Sequence, residues 1–487
     1  MNKKMIFRTV GEITLLEAFL MLIPMVVSII YGESCFLSFL ITIGIAVAIG
    51  LPLTLCFRKV NSAIYAKEGF ITVSFAWILL SLIGALPFLL SGEIPNYLDA
   101  VFETVSGFTT TGATILSGEA IEGMSHGLLF WRSFTHWIGG MGVLVLIMAI
   151  IPSNSGHAIH IMRAEMPGPS VGKIVPKIRE TAKILYLIYI GMTILEVVML
   201  LFGGMNLFES LVHTFGTAGT GGFGVRADSI ASYTPYLQWV IGVFMVLFGI
   251  NFNIFFMIII GKIGTAFKSH ELLWYIGIIL TSTAVICINI WGTYETFGET
   301  LRTSFFQVGS IITTTGYTTA NYDTWPVLSR IILLGLMFVG ACAGSTGGGL
   351  KVSRLILLYK IVKNDITRAL HPRSVNTVKF EGRTVEKETV NYVTAYFILY
   401  IFLFAVMVLL LAIFDGWADI ASLFSAVAAC FNNIGPGLGA FGPASNYAAL
   451  TWMSKIVLVF AMLLGRLEIY PFIVMLRPST WSSVRES

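Results

Sequence analysis

Long stretches without a single Asp, Glu, Lys or Arg constrain this chain more than any other feature. Eight of them, 34–57, 69–92, 133–156, 229–261, 272–294, 331–350, 389–414 and 420–454, reach or nearly reach the ~20 residues a helix needs to cross a hydrocarbon core. Roughly 13–31 and 183–203 are similar but carry one acid each, Glu17 and Glu196. The segment 453–476 carries Lys455, Arg466 and Glu468. Only 11% of the 487 residues are charged, less than half of what a soluble surface uses. The reading is an all-α polytopic membrane protein with ten full spans.

The same counts exclude other classes. The net charge of +4 has no soluble basic domain to carry it, so nucleic acid is not a partner; membrane lipid is. Cys35, Cys56, Cys287, Cys342 and Cys430 lie in apolar surroundings without CxxC or Cys/His spacing, and read as membrane-packing residues. The basic start, with Lys3, Lys4 and Arg8, precedes a stretch interrupted by Glu12 and Glu17. No small-residue cleavage site closes it, which predicts a retained first helix.

Lysine and arginine set the orientation. With a cytoplasmic N-terminus and alternating spans, the segments 1–11, 58–68, 157–183, 262–271 and 351–388 and the C-terminus fall on one side and hold 24 of the 30 basic residues. This positive-inside bias predicts that both termini are cytoplasmic.

Four external connections, about 97–112, 206–222, 298–316 and 417–435, are too long and too apolar to be simple loops. Each begins near an acid (Asp99, Glu209, Glu299, Asp419) and runs as a short half-apolar helix. They end in Thr110-Thr111-Gly112, Thr220-Gly221-Gly222, Thr314-Thr315-Gly316 and Asn433-Ile434-Gly435. One span precedes and one follows each, so the pattern is span, re-entrant helix, glycine strand, span, four times over. The first two spans stand outside the repeat. The resulting division is 1–62 as a two-span extension, 63–156, 157–270 and 271–357 as three repeats, and 358–487 as a basic loop with the fourth.

Non-helical backbone at membrane depth persists only where protein buries it or a wet cavity faces it. Four such strands in a pseudo-fourfold ring around one pore present carbonyl oxygens that can replace the hydration shell of a potassium ion. Glycine leaves the lumen clear of Cβ atoms. The acids Glu93, Asp99, Glu103, Glu119 and Glu122 would concentrate cations outside. A single Thr-Thr-Thr-Gly could be a chance helix-packing sequence; two copies with two related endings in register are not read that way.

The chain resembles the Trk/Ktr/HKT superfamily of potassium transport proteins, and within it the bacterial Trk-type membrane subunit. The resemblance rests on Gly107-Phe108-Thr109-Thr110-Thr111-Gly112-Ala113-Thr114, His136-Trp137-Ile138-Gly139-Gly140-Met141-Gly142, Ala343-Gly344-Ser345-Thr346-Gly347-Gly348-Gly349-Leu350-Lys351 and Gly465-Arg466-Leu467-Glu468-Ile469-Tyr470-Pro471. It implies potassium as the transported ion, the bacterial cytoplasmic membrane, a homodimer with one pore per protomer, and a cytosolic nucleotide-binding regulatory ring. The second and fourth strands depart from Thr-Thr-Gly, which predicts fewer ordered ion sites than in tetrameric potassium channels. A plant-type sodium-selective relative would carry serine at the first filter glycine, so Gly112 argues for potassium.

Below the strands, Arg466 lies about mid-span. It either snorkels or pairs with an acid, or it faces the pore as an electrostatic barrier, where the resemblance also puts it. Five glycines within 340–349 cannot hold a rigid helix. This segment is either a close helix crossing or a broken helix whose loop, Gly344, Ser345, Thr346, Gly347, Gly348 and Gly349 followed by Lys351, gates the pore. His136 and His213 read as packing residues or proton relays, Glu196 as an inter-helix partner, and Asn432 and Asn433 as bonding neighbouring pore helices rather than the ion.

No Walker-type or dinucleotide glycine motif occurs in a cytoplasmic loop. The chain therefore needs no organic cofactor, and nucleotide control would come from a partner. Two rivals stand beside the gated pore: a proton- or sodium-coupled potassium symporter, and, more remotely, an intramembrane enzyme built on Ser345 and His136.

Overall fold

The computed structural model describes residues 2–57, 66–142, 178–372 and 377–481. Among them the only β structure is a short hairpin pairing Lys379 with Thr384 and Phe380 with Arg383; everything else regular is helical. Six helices are long and apolar enough to cross a membrane: Lys3–Ile30, Phe36–Cys56, Lys67–Ser91, Glu180–Phe202, His270–Asn289 and Lys387–Phe414. The count rises to eight if each of two bent pairs is one span. The 133–156 run leaves the described residues after 142, as do most of the 58–68 and 157–183 loops.

Both bent pairs depart from the continuous spans expected from hydropathy. Pro235–Phe248 and Phe252–Ile259 meet at 93°, and Trp452–Arg466 and Tyr470–Leu476 at 120°. At the second break Glu468 and Ile469 take φ of 57° and 66°, which ends the helix, and Pro471 stands in the first turn of the next. The 331–350 run likewise becomes a helix over Val327–Val339. It is stopped by Gly340 at φ 74°, from which the backbone continues without helix to Lys351, also at φ 74°.

Four short helices, Tyr97–Phe108, Leu207–Gly219, Phe297–Ile312 and Ile420–Phe431, each start on a side chain that caps its first turn. Asn96, Asn206, Thr296 and Asp419 accept from backbone N–H groups there, satisfying donors that hydrocarbon could not. Their remaining turns are almost wholly buried, whereas little of the 28-residue Lys387–Phe414 helix is buried. The short helices therefore form the inside of the molecule, and long helices such as Phe36–Cys56 and Lys387–Phe414 lie on its outside.

Candidate functional site: a backbone ring and the loop beneath it

Each short helix ends in the same way. Thr110, Thr220, Thr314 and Asn433 adopt φ of 54°, 57°, 60° and 56°. The following residue's N–H reaches five positions back: Thr111 to Ser106 O and Gly221 to Gly216 O at 2.8 Å, Thr315 to Ser310 O at 2.9 Å, Ile434 to Ala429 O at 2.8 Å. This is a Schellman-type helix end with threonine or asparagine where glycine is usual. Left-handed non-glycine residues cost about 1–3 kcal/mol each and persist only where their surroundings over-determine them. Two positions later comes the glycine, Gly112, Gly222, Gly316 or Gly435, with φ between 77° and 99°.

These glycines close a circuit. A methyl group on Gly112 would lie 1.9 Å from the Gly221 carbonyl oxygen, on Gly222 2.1 Å from Thr315 O, on Gly316 2.0 Å from Ile434 O, and on Gly435 2.8 Å from Thr111 O. Each strand thus abuts the carbonyl just before the next strand's glycine, and the fourth returns to the first. Only glycine permits that approach. All four line one cavity of about 130 Å³.

Buried groups brace the ring from outside. The Tyr317 hydroxyl donates to Phe223 O at 2.9 Å and His213 O at 3.1 Å, and the Tyr447 hydroxyl to Gly435 O at 2.8 Å. Arg132 pairs with Glu103 at 2.6 Å, donates to Gly224 O at 3.3 Å and stacks 3.5 Å from the Phe223 ring centroid. His136 sits with Nδ1 2.7 Å from Gly107 O and its ring against Gly221. His213 lies between the Tyr233 and Tyr317 hydroxyls. Both histidines are fully buried in the wall around the ring. Asn432 accepts from the Tyr400 hydroxyl at 2.9 Å, while Asn433 bonds Thr111 and Met462.

Glu103 needs correcting as an external cation-concentrating acid. It is buried, holds Arg132, and accepts from Thr114 Oγ1 at 2.9 Å and Ile115 N at 3.1 Å. Its expected neighbours are engaged as well: Asp99 by Lys455 at 2.7 Å, Glu93 by Ser125, and Glu122 by Ala227 N at 3.0 Å. Sequence reasoning also passed over Tyr317 and Tyr447. For Tyr317 the signal was local: an aromatic follows the second and third ring glycines directly, as Phe223 and Tyr317.

The glycine-rich loop lies directly under the ring. Gly348 N donates to Thr314 Oγ1 at 2.6 Å. A methyl on Gly348 would meet Asn432 O at 2.5 Å, and on Gly347 Thr313 O at 2.9 Å. Ser345 Oγ donates to Cys342 O at 2.6 Å, Thr346 Oγ1 to Phe248 O at 3.3 Å, and the buried Lys351 ammonium to Gly347 O. Gly344 O accepts from Phe252 N at 3.0 Å, and Ala343 N donates to Glu271 at 2.7 Å. Arg466 ties three parts together. Its guanidinium donates to Gly139 O, to Gly140 O at 2.7 Å, to Thr346 O at 3.0 Å and to Thr110 Oγ1 at 3.4 Å. Glu468 turns away from it and pairs with Arg354. Ser345 and His136 have separate partners, so the pair imagined as a catalytic couple is not assembled by these bonds.

A helical membrane protein with buried re-entrant helices around a backbone-lined axis has the build of a transport protein. The chain belongs to the TrkH family: the family model, described as a cation transport protein, matches residues 37–483. It is 37% identical over 488 residues to the Trk system potassium uptake protein TrkH of Salmonella typhimurium and equally to that of Escherichia coli K12. Each alignment covers 99% of this chain and 100% of the relative. The crystal structure of the potassium transporter TrkH from Vibrio parahaemolyticus superposes with a TM-score of 0.88 at 32% identity, covering 99% of this chain and 100% of that one. The fold is TrkH-like, and the chain is a transporter, not an enzyme.

Proposed function

We propose that this chain carries potassium into the cell through the ring. The residues Thr110, Thr111, Gly112, Thr220, Gly221, Gly222, Thr314, Thr315, Gly316, Asn433, Ile434 and Gly435 form the selectivity filter, mainly through backbone carbonyls. The single observation that carries this reading is the closed circuit in which each ring glycine abuts the next strand's carbonyl oxygen. Carbonyl rings of this kind replace an ion's hydration shell. The relatives' printed function, potassium uptake, supplies the ion.

Gly344, Ser345, Thr346, Gly347, Gly348 and Gly349 form the gate in this reading. Lys351 and Arg466 hold the loop under the ring and add positive charge to the path. The architecture is ten spans in four repeats with the boundaries given above, in the cytoplasmic membrane, with both termini on the basic side. A homodimer and a cytosolic nucleotide-binding ring complete the system. Lys363, Arg368, Lys379, Arg383 and Lys387, all exposed in the stretch that follows the gate, offer that regulator a surface.

Rubidium uptake into proteoliposomes under a potassium gradient tests the reading. Uptake should follow the potassium gradient alone and be unaffected by an imposed pH gradient. Uptake that stops when the pH gradient is collapsed would favour coupled symport instead.

A further inference from the structure

We propose that the groove between the Val352–Leu370 helix, the 379–384 hairpin and the Lys387–Phe414 helix binds an anionic phospholipid of the adjoining leaflet. The groove has a volume of about 770 Å³. Its polar lining is Arg368, Lys387, Asn364, Asn391, Thr377 and Thr394, with Asp365 the one acid among the lining residues. Two cations and four neutral hydrogen-bonding side chains against one carboxylate suit a phosphate headgroup that carries net negative charge.

An apolar track adjoins the groove. Lys387, Asn391, Thr394 and Ile398 recur at three- and four-residue spacing and so share one face of their helix. That face continues as Phe402, Leu409 and Ile413, all exposed. From Ile398 to Ile413 the track is about 22 Å long, more than the ~15 Å of one leaflet's acyl chains. A headgroup socket leading into an exposed apolar track fits an amphiphile, not a free anion or a polar peptide.

The groove also touches the path to the loop. Val378 and Val385, which bond to each other at the base of the hairpin, line the groove, and Lys360 Nζ donates to Lys379 O at 2.8 Å. At the hairpin tip Glu381 accepts from Ser269 Oγ and from Glu271 N, both at 3.0 Å. The Glu271 carboxylate in turn accepts from Ala343 N at the start of the glycine loop. A lipid filling the groove holds the hairpin against Ser269 and Glu271, and so steadies the loop in its place under the ring. This coupling rests on the ion-path reading; lipid binding does not.

Native mass spectrometry of the full chain from nanodiscs of phosphatidylcholine, alone or mixed with phosphatidylglycerol, tests binding. The wild type should retain phosphatidylglycerol in preference to phosphatidylcholine. The Arg368→Gln/Lys387→Gln variant should lose roughly tenfold to thirtyfold in that affinity, and Lys268→Gln, outside the groove, should lose none. Equal retention of both lipids by the wild type overturns the proposal, as does undiminished phosphatidylglycerol retention by the double variant. Displacement by inorganic phosphate alone, or an altered dimer fraction with lipid retention intact, also overturns it in favour of a free anion or a second copy. In proteoliposomes, phosphatidylglycerol should lower rubidium leak several-fold in the wild type and not in Glu381→Ala, which removes the acceptor of both bonds. Equal responses in both would break the link to the loop while leaving the binding result intact.

Discussion

Asn433 donates through Nδ2 to Thr111 Oγ1 at 2.9 Å, joining the fourth strand to the first across 322 positions of sequence. The same amide nitrogen donates to Met462 O at 3.0 Å. The residue that opens the fourth strand in a left-handed conformation is thus held on two sides, one of them the strand that began the ring. Circular closure here is a side-chain bond as well as a backbone approach.

Asn433→Ala should therefore loosen the ring as well as destabilise the fold. It leaves buried acceptors without this donor, a loss of about 1–3 kcal/mol, and puts alanine at φ 56°. Thermal unfolding in detergent should show a lower midpoint. In proteoliposomes the potassium-to-sodium flux ratio should fall.

The glycines divide sharply by position. Gly222→Ala and Gly316→Ala place a methyl about 2 Å from the Thr315 and Ile434 carbonyl oxygens, a distance no neighbour can accommodate without moving the ring. Both should abolish selective potassium flux. Gly191→Ala, in a membrane-facing helix with nothing within 4 Å of the added carbon, should leave flux unchanged and gain up to ~1 kcal/mol of helix stability. Flux ratios of the three variants, measured side by side, check this.

Arg354 and Glu468 form an ion pair whose side chains are 2% and 15% exposed, and the Arg354 guanidinium lies 4.3 Å from the Tyr396 ring centroid. Removing one partner strands a charge in low dielectric, so Arg354→Met alone should cost about 3–5 kcal/mol. Adding Glu468→Gln should recover much of that loss. A double-mutant cycle on unfolding midpoints measures the coupling.

The N-terminal end of the His126–Gly140 helix carries a pH dependence. Burial pushes the Glu33 carboxyl up, but the N–H groups of Gly127 and His126, the His126 ring and the Cys35 thiol outweigh it and hold the group below the usual carboxylate range. A lowered folded-state value means the stabilisation is present above the unfolded value of about 4.3 and is lost as pH falls through the folded value. Glu33→Gln should unfold at lower temperature than the wild type at about pH 7, with the gap closing below about pH 4. A gap that persists at low pH would contradict the assignment.

The four strands were legible in the sequence because their marks are local: a capped half-apolar helix, then small or polar residues, then glycine three or four positions after the helix end. The glycine loop was legible for the same reason, since five glycines within 340–349 cannot propagate the Val327–Val339 helix. What stayed hidden was made by closure of the chain on itself. Glu103 reads as a surface acid until Arg132, 29 positions on, buries against it. Arg354 and Glu468 are 114 apart, and each looks like one member of a charged stretch. The 93° and 120° bends were invisible to hydropathy, because the residues on both sides are apolar and only Asn251 or the Glu468–Pro471 stretch interrupts them.

In the proposed path, ions cross the ring and pass Arg466 beneath it. Rubidium flux through Arg466→Ala, beside Arg466→Lys in the same proteoliposomes, tests it most directly. A unit positive charge near the path repels a passing cation by about 1–4 kcal/mol at short range, so its removal should raise flux roughly tenfold or more. The lysine variant, which keeps the charge, should stay near the wild type. Folded Arg466→Ala protein with unchanged flux and an unchanged rubidium-to-sodium ratio would contradict the account.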